Sequence, residues 1–177
     1  GVRGKRALDW GFVDALAPRN KFDEAIVRHA RELAITLQLR SGPGIALPSL
    51  SPDVSENRIR YRYVDLDLDP VARTARLLVR GPKDPVPQTA GDARALGAGW
   101  WPLHAFRELD DALLRLRFNY ETIGVVRIET EGDPALVLEC DAALVRFADD
   151  WFVREVSLKM ARVLRRLDLT ARTFFAV

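Results

Sequence analysis

The sequence predicts an α/β protein, and three observations carry that expectation. Some stretches alternate strictly between polar and apolar residues. Others return to an apolar residue every three or four positions. The two kinds interleave along the chain. The chain has 177 residues, 48% of them hydrophobic and 29% charged, an ordinary globular mix able to bury a sizeable core.

Taken in order, Arg3 to Trp10 reads as a short helix, with Gly11 placed for a left-handed cap. Phe12 to Leu16 reads as a short strand or an extended link. Asn20 is placed to cap a helix from about Lys21 to about Leu39, with Asp23 and Glu24 in its first turn and Phe22, Ile26, Ala30, Leu33 and Leu37 on one face. Ser41-Gly42-Pro43-Gly44 and Pro48-Ser49-Leu50-Ser51-Pro52 have the composition of a linker, expected over residues 41–57. It divides a first region, 1–40, from a second, 58–177.

In the second region Ile59, Tyr61 and Tyr63 alternate with Arg58, Arg60 and Arg62. Val64, Leu66 and Leu68 then alternate with Asp65, Asp67 and Asp69. The apolar phase slips by one at Tyr63–Val64, which suggests a bulge. Thr74 to Arg80 is expected to return antiparallel to this strand. Residues 81–99 read as a long loop. A helix follows Pro102 with Leu103, Phe106, Leu109, Leu113 and Leu116 inward. Gly124 to Thr130 reads as a strand and Glu131 to Pro134 as a turn. Asp149 or Asp150 is placed to cap a long helix carrying Phe152, Val156, Met160, Val163 and Leu167, and Thr173 to Val177 reads as a final strand.

Composition excludes several functions. With 27 Lys+Arg against 25 Asp+Glu, the net charge of +2 gives no electrostatic footprint for nucleic acid. One cysteine, Cys140, permits neither an internal disulfide nor a multi-cysteine zinc site. His29 and His104 lack a second ligand at metal-site spacing, so no metal is expected. No apolar run approaches the ~18–20 residues of a membrane span. A reduced, cytoplasmic setting is the default.

The chemistry-bearing residues read modestly on their own. His29 falls near the apolar face of its helix, as a core or boundary residue. His104 could face a pocket, though no serine or cysteine nucleophile accompanies it. Cys140 reads as a buried thiol. Trp100-Trp101 can plug a core or line a ligand groove. The Arg58/Arg60/Arg62 row can be a solvated face balancing the aspartates, or an anion site. Arg162, Arg165 and Arg166 suit a helix C-terminus.

Several segments add a resemblance. Gly1 to Asp14 resembles a segment of the crotonase (enoyl-CoA hydratase) superfamily, in which a short helix ends in Gly-Leu-Val-Asp; Phe12 stands where leucine is usual. Tyr63-Val64-Asp65 with Ala72-Arg73-Thr74-Ala75, Glu108 to Arg117, Thr130 to Pro134, Trp151 to Glu155, and Arg166 to Arg172 resemble the benzoyl-CoA-dihydrodiol lyase family within it. The resemblance covers nearly the whole chain.

It implies a partial crotonase-like spiral fold: the tail of one unit over 1–40, the linker, and the front of a second unit over 58–177. It also implies a part in hydrolytic ring opening of 2,3-epoxybenzoyl-CoA to a semialdehyde-CoA and formate, in aerobic benzoate degradation. Another crotonase-type hydratase or isomerase, or a non-catalytic support or interaction module, are the alternatives. The partner implied is an acyl-CoA substrate, which brings its own CoA, so no separate cofactor is expected; neither nucleic acid nor membrane is, and self-association stays open.

Catalysis in that superfamily rests on two backbone N–H groups aimed at the thioester oxygen. Asp133 to Asp141 lacks the family's Ala-Gly-Ala-Asp-like cluster. The resemblance therefore carries no catalytic residue onto residues 1–177 and places the reacting groups before Gly1 and after Val177. His104, Glu131 and Glu139 are the first residues to test against that expectation.

Overall fold

The structure is a computed structural model, and it describes residues 1–36 and 44–177. They fall in two compact units, Gly1–Pro43 and Gly44–Val177.

In the first unit helix α1 spans Lys5–Asp9. Gly11 follows at φ +70°, and the Phe12 N–H donates to the Ala7 carbonyl at 2.9 Å. This is the expected left-handed ending, open to glycine because it has no Cβ. Residues 12–16 form no strand; the extended link is what occurs. Asn20 lies inside a 3-10 turn, Arg19–Lys21, and caps nothing. Helix α2 runs Phe22–Thr36, with Asp23 and Glu24 in its first turn. Leu37 to Leu39, expected to continue it, lie outside the described residues, as do Ser41 to Pro43 of the expected linker. No residue of α2 is buried, so Phe22, Ile26 and Leu33 form an apolar stripe that stays exposed among the described residues. His29 is half exposed rather than a core residue.

The second unit is built on a six-stranded sheet in sequence order: β1 Asp53–Ser55, β2 Arg58–Arg60, β3 Val64–Asp69, β4 Thr74–Arg80, β5 Val125–Glu131 and β6 Thr173–Ala176. The first four strands are antiparallel, while β4, β5 and β6 are parallel. Parallel neighbours need long crossovers. Helices α3 Ala90–Leu96 and α4 Trp101–Asn119 supply the first, and α5 Pro134–Arg146 with α6 Trp151–Asp168 the second.

Three sequence expectations change here. The phase slip at Tyr63–Val64 is a chain reversal, not a bulge. Ile59 pairs with Leu66, and the Tyr61 N–H donates to the Val64 carbonyl at 2.9 Å. Reversal puts both apolar sets on one face. The stretch read as linker holds β1, and Ile45 packs on the cluster around Trp100 and Phe152. The loop at 81–99 contains α3, whose Thr89 and Asp92 form a reciprocal capping box. Helix α5 begins directly after the turn, with Asp133 Oδ1 accepting from the Ala135 N–H at 2.9 Å.

The alternation of each strand gives the sheet two unlike faces. Ile59, Leu66, Leu77 and Val126 meet Leu109, Leu113 and Leu116 of α4 and Val163 of α6 in the main core. Burial of such aliphatic side chains contributes about 1.5–3 kcal/mol each. The α6 cap is the one expected: Asp150 Oδ1 accepts from the Phe152 and Val153 N–H groups at 3.0 and 3.4 Å. The start of α4 is tied to the end of β4, where the Trp101 indole N–H donates to the Arg80 carbonyl.

Candidate functional site

Pro102 in the first turn starts α4, and the helical period then sets His104 and Glu108 one turn apart, on the i, i+4 row that continues into the core residues Ala112 and Leu116. The reversal between β2 and β3 lies against these two residues. Glu108 is 2% exposed. Its Oε1 lies 3.0 Å from His104 Nε2 and accepts from the Arg62 N–H at 3.2 Å; its Oε2 accepts from the Tyr63 N–H at 2.7 Å. A buried carboxylate is tolerable on such terms, since donors replace lost water. The carboxylate also ties the turn to the helix and fixes the imidazole, which stands edge-on to the Tyr63 ring at 5.3 Å. His104 Nδ1 is shut from solvent without a partner.

In front of this pair is a cavity of about 340 Å³, bounded by residues 48–51, Tyr61, Arg62, Ala98, Gly99 and Arg107. Arg107 Nη2 donates to the Pro48 carbonyl at 2.6 Å, which pins the 48–51 segment as one wall. The Tyr61 hydroxyl donates to Asp111 Oδ2 at 2.5 Å. Burial, then the neighbouring Asp111 carboxylate, hold that phenol well above its ordinary range, so it stays a neutral donor. Asp111 also accepts from Arg115 Nε at 2.8 Å.

The arginine and aspartate rows meet on the other sheet face. Arg58 opposes Asp67 and Arg60 opposes Asp65 across β2–β3. Asp67 accepts from Arg60 at 2.6 Å and Arg58 at 3.1 Å, Arg76 pairs with Glu129 at 2.6 Å, and Arg80 pairs with Asp65. The ladder is partly buried, with Asp65 only 4% exposed, so it is not the solvated face the alternation suggested. Burial alone would push the Asp67 carboxyl up; hydrogen bonds from Arg60 and then Arg58 more than offset this and lower it. Arg58 and Arg60 are thus committed to carboxylates. Arg62 lies in the reversal, beside the cavity, 3.5 Å from the exposed Asp84.

Cys140 is buried, and its thiol is pushed up to about 11 by burial, then by Asp141 and Glu139. It is a poor nucleophile in that state. Trp100 is a core residue, while Trp101 donates from its indole N–H to the Arg80 carbonyl at 2.9 Å. Both also line a second cavity of about 290 Å³ with Cys140 and Pro82 to Pro87 residues, so the plug and the groove wall are the same side chains. Glu131 and Glu139 are exposed and away from His104's cavity; Glu131 lies 3.5 Å from Arg80. Arg166 reaches Asp110 on α4. Among the described residues no group of three or more His, Cys, Asp or Glu side chains could hold a metal ion, and no helix is long and apolar enough to cross a membrane.

Sequence reading named His104 and passed over Glu108. The available signal was their i, i+4 spacing behind a helix-starting proline.

No protein-family model matches the chain. Over its whole length it is 40% identical to the benzoyl-CoA-dihydrodiol lyase of Aromatoleum evansii. The resemblance read from the segments therefore holds across all of them. The chain spans 32% of that lyase. Apart from Gly1 to Asp14 in the first unit, the segments that carried the resemblance fall on the framework of the second: the β3–β4 hairpin, the Glu108–Arg117 stretch of α4, the junction of β5 and α5, and both ends of α6. Glu108, the residue that organises the cavity, opens one of these lyase-like segments.

Proposed function

We propose that this chain is part of a benzoyl-CoA-dihydrodiol-lyase-like enzyme, which opens 2,3-epoxybenzoyl-CoA by hydrolysis to a semialdehyde-CoA and formate in aerobic benzoate breakdown. The observation that carries the proposal is the 40% identity to such a lyase along the entire chain. In this reading residues 1–40 close one crotonase-like unit and 58–177 open another, in a cytoplasmic protein. The substrate arrives with its own CoA.

The part played by these residues is support. In α5, the helix after β5, Pro134 has no N–H, Ala135 donates to the Asp133 side chain, and Val137 donates to the Asp133 carbonyl at 3.3 Å. Asp133 thus takes up two of the N–H groups at the start of α5, where Pro134 supplies none and an oxyanion hole would need free donors. The buried carboxylate of Glu108 is likewise spent on the Arg62 and Tyr63 N–H groups.

The test compares the longer reading frame containing this chain with the 177-residue chain alone. Each is assayed with 2,3-epoxybenzoyl-CoA for formate release and with crotonyl-CoA for hydration. The expected outcome is formate from the longer protein only. Formate from the chain alone would overturn the supporting role. Hydration of crotonyl-CoA without formate would replace ring opening by an enoyl-CoA hydratase activity.

A further inference from the structure

We propose that the cavity in front of His104 binds a small oxyanion, a phosphate or a carboxylate, through Arg62 and Arg107. The inference stands on the geometry of the second unit and does not rest on the ring-opening reading.

The charges lining the cavity decide its sign. Arg62, His104, Arg107 and Glu108 are the ionisable groups of its wall besides the Tyr61 phenol. Glu108 is 3% exposed in its side chain, its oxygens accept from the Arg62 and Tyr63 N–H groups, and its single charge is outnumbered by the two guanidiniums. The Tyr61 proton is committed to Asp111. Two guanidiniums remain, and neither is saturated. Each carries five donors. Arg107 uses one on the Pro48 carbonyl, and Arg62 lies 3.5 Å from Asp84, a carboxylate that is 74% exposed. Ser49 and Ser51 also line the cavity. A volume of about 340 Å³ falls within the range of small-molecule sites. Forked donors around a concave space, with the only acid already spent, recognise planar or tetrahedral oxyanions. The sheet-face arginines Arg58, Arg60 and Arg76 are paired with Asp67 and Glu129.

His104 supplies the readout, because the chain has two histidines and the other is exposed on α2. The full chain, labelled with 15N at histidine, is titrated with inorganic phosphate and separately with acetate, at fixed pH and ionic strength balanced with chloride. The His104 imidazole resonances are expected to shift with saturation while those of His29 stay put. Saturation by phosphate, by acetate, or by both supports the site and tells which oxyanion it prefers. Arg62→Gln, at an exposed side chain outside the core, is expected to weaken the apparent Kd about tenfold, the loss of one charge-assisted contact. Arg107→Gln is expected to do the same, with Arg62→Gln the deciding variant if the 48–51 wall shifts. Parallel unsaturated drift of both histidines with both anions, or an unchanged Kd in Arg62→Gln, would overturn the proposal.

Discussion

Arg166 on α6 donates through Nε to Asp110 on α4 at 2.5 Å, and Lys159 reaches the other oxygen of the same carboxylate. Asp110 is 8% exposed, so one acid between two helices takes two cations a helical two turns apart. Removing one member of such a cluster leaves the others desolvated and unpaired. Asp110→Ala is expected to cost about 2–4 kcal/mol in urea unfolding. Arg162→Ala, on the exposed side of the same helix, is expected to stay within about 0.5 kcal/mol. Equal effects would show that the pair contributes nothing specific.

Glu108 presents a different case, because its donors are mostly backbone. Glu108→Ala strands the Arg62 and Tyr63 N–H groups and takes the carboxylate away from His104 Nε2 in one step. Each buried unpaired group costs about 1–3 kcal/mol, so a loss of about 3 kcal/mol or more is expected. Glu108→Gln keeps an acceptor oxygen but turns an amide toward donors, and an intermediate loss is expected. Amide hydrogen exchange at Tyr63 should quicken in both variants. Unchanged exchange there would remove Glu108 as the tie between turn and helix.

The alkaline limb of stability should report Cys140. Its thiol is raised to about 11 from an ordinary value of 9.0. A raised folded-state value means that the folded form holds the proton more tightly. That stabilisation is complete below about pH 9 and is lost as pH climbs from 9 through 11. Two units correspond to about 2–3 kcal/mol. Urea midpoints of wild type and Cys140→Ala at pH 8 and pH 11 separate this thiol from the other titrating groups. The variant's fall with pH should be smaller by about that amount. Parallel falls would mean the thiol ionises freely in the folded protein.

What was legible in the sequence follows from the range of the forces involved. The β3–β4 hairpin, α4 and α6 came through because alternation, helical period, Pro102 and Asp150 are local signals that tertiary packing left alone. The β2–β3 reversal did not. Tyr61 to Tyr63 keeps strand-like alternation through the turn, and only the pairing of Ile59 with Leu66 reveals it. Helix α3 was hidden by Gly91, Gly97 and the prolines before it, although Thr89-x-x-Asp92 was a usable cap. Residues 44–57 looked like linker by composition, yet Ile45 finds a place beside Trp100 and Phe152. The site was half visible. His104 was named, but the role of Glu108 depends on backbone donors at Arg62 and Tyr63, forty-odd positions earlier. No spacing rule reaches that far.

Two glycines should respond to the same substitution with opposite signs. Gly132 sits at φ +137°, a conformation L-residues rarely adopt, and a Cβ there would lie 3.1 Å from the Gly81 Cα and N atoms. The close approach matters because the Gly81 N–H donates to the Glu131 carbonyl at 2.7 Å, which joins the ends of β4 and β5. Neither neighbour is a flexible side chain that could swing aside. Backbone strain of about 1–3 kcal/mol adds to the clash, so Gly132→Ala is expected to destabilise by about 2–4 kcal/mol. Gly91 lies within α3, where an added Cβ would meet only the Thr89 Oγ1 at 3.5 Å and the Arg94 Nη2 at 4.0 Å, ordinary contacts. There alanine restricts the unfolded chain and suits the helix, and Gly91→Ala is expected to stabilise by about 0.5–1 kcal/mol. Thermal unfolding of both variants beside wild type decides the matter. If Gly132→Ala melts with wild type, the β4–β5 end does not need the close glycine contact; if Gly91→Ala melts earlier, residues 90–96 are not the helix described.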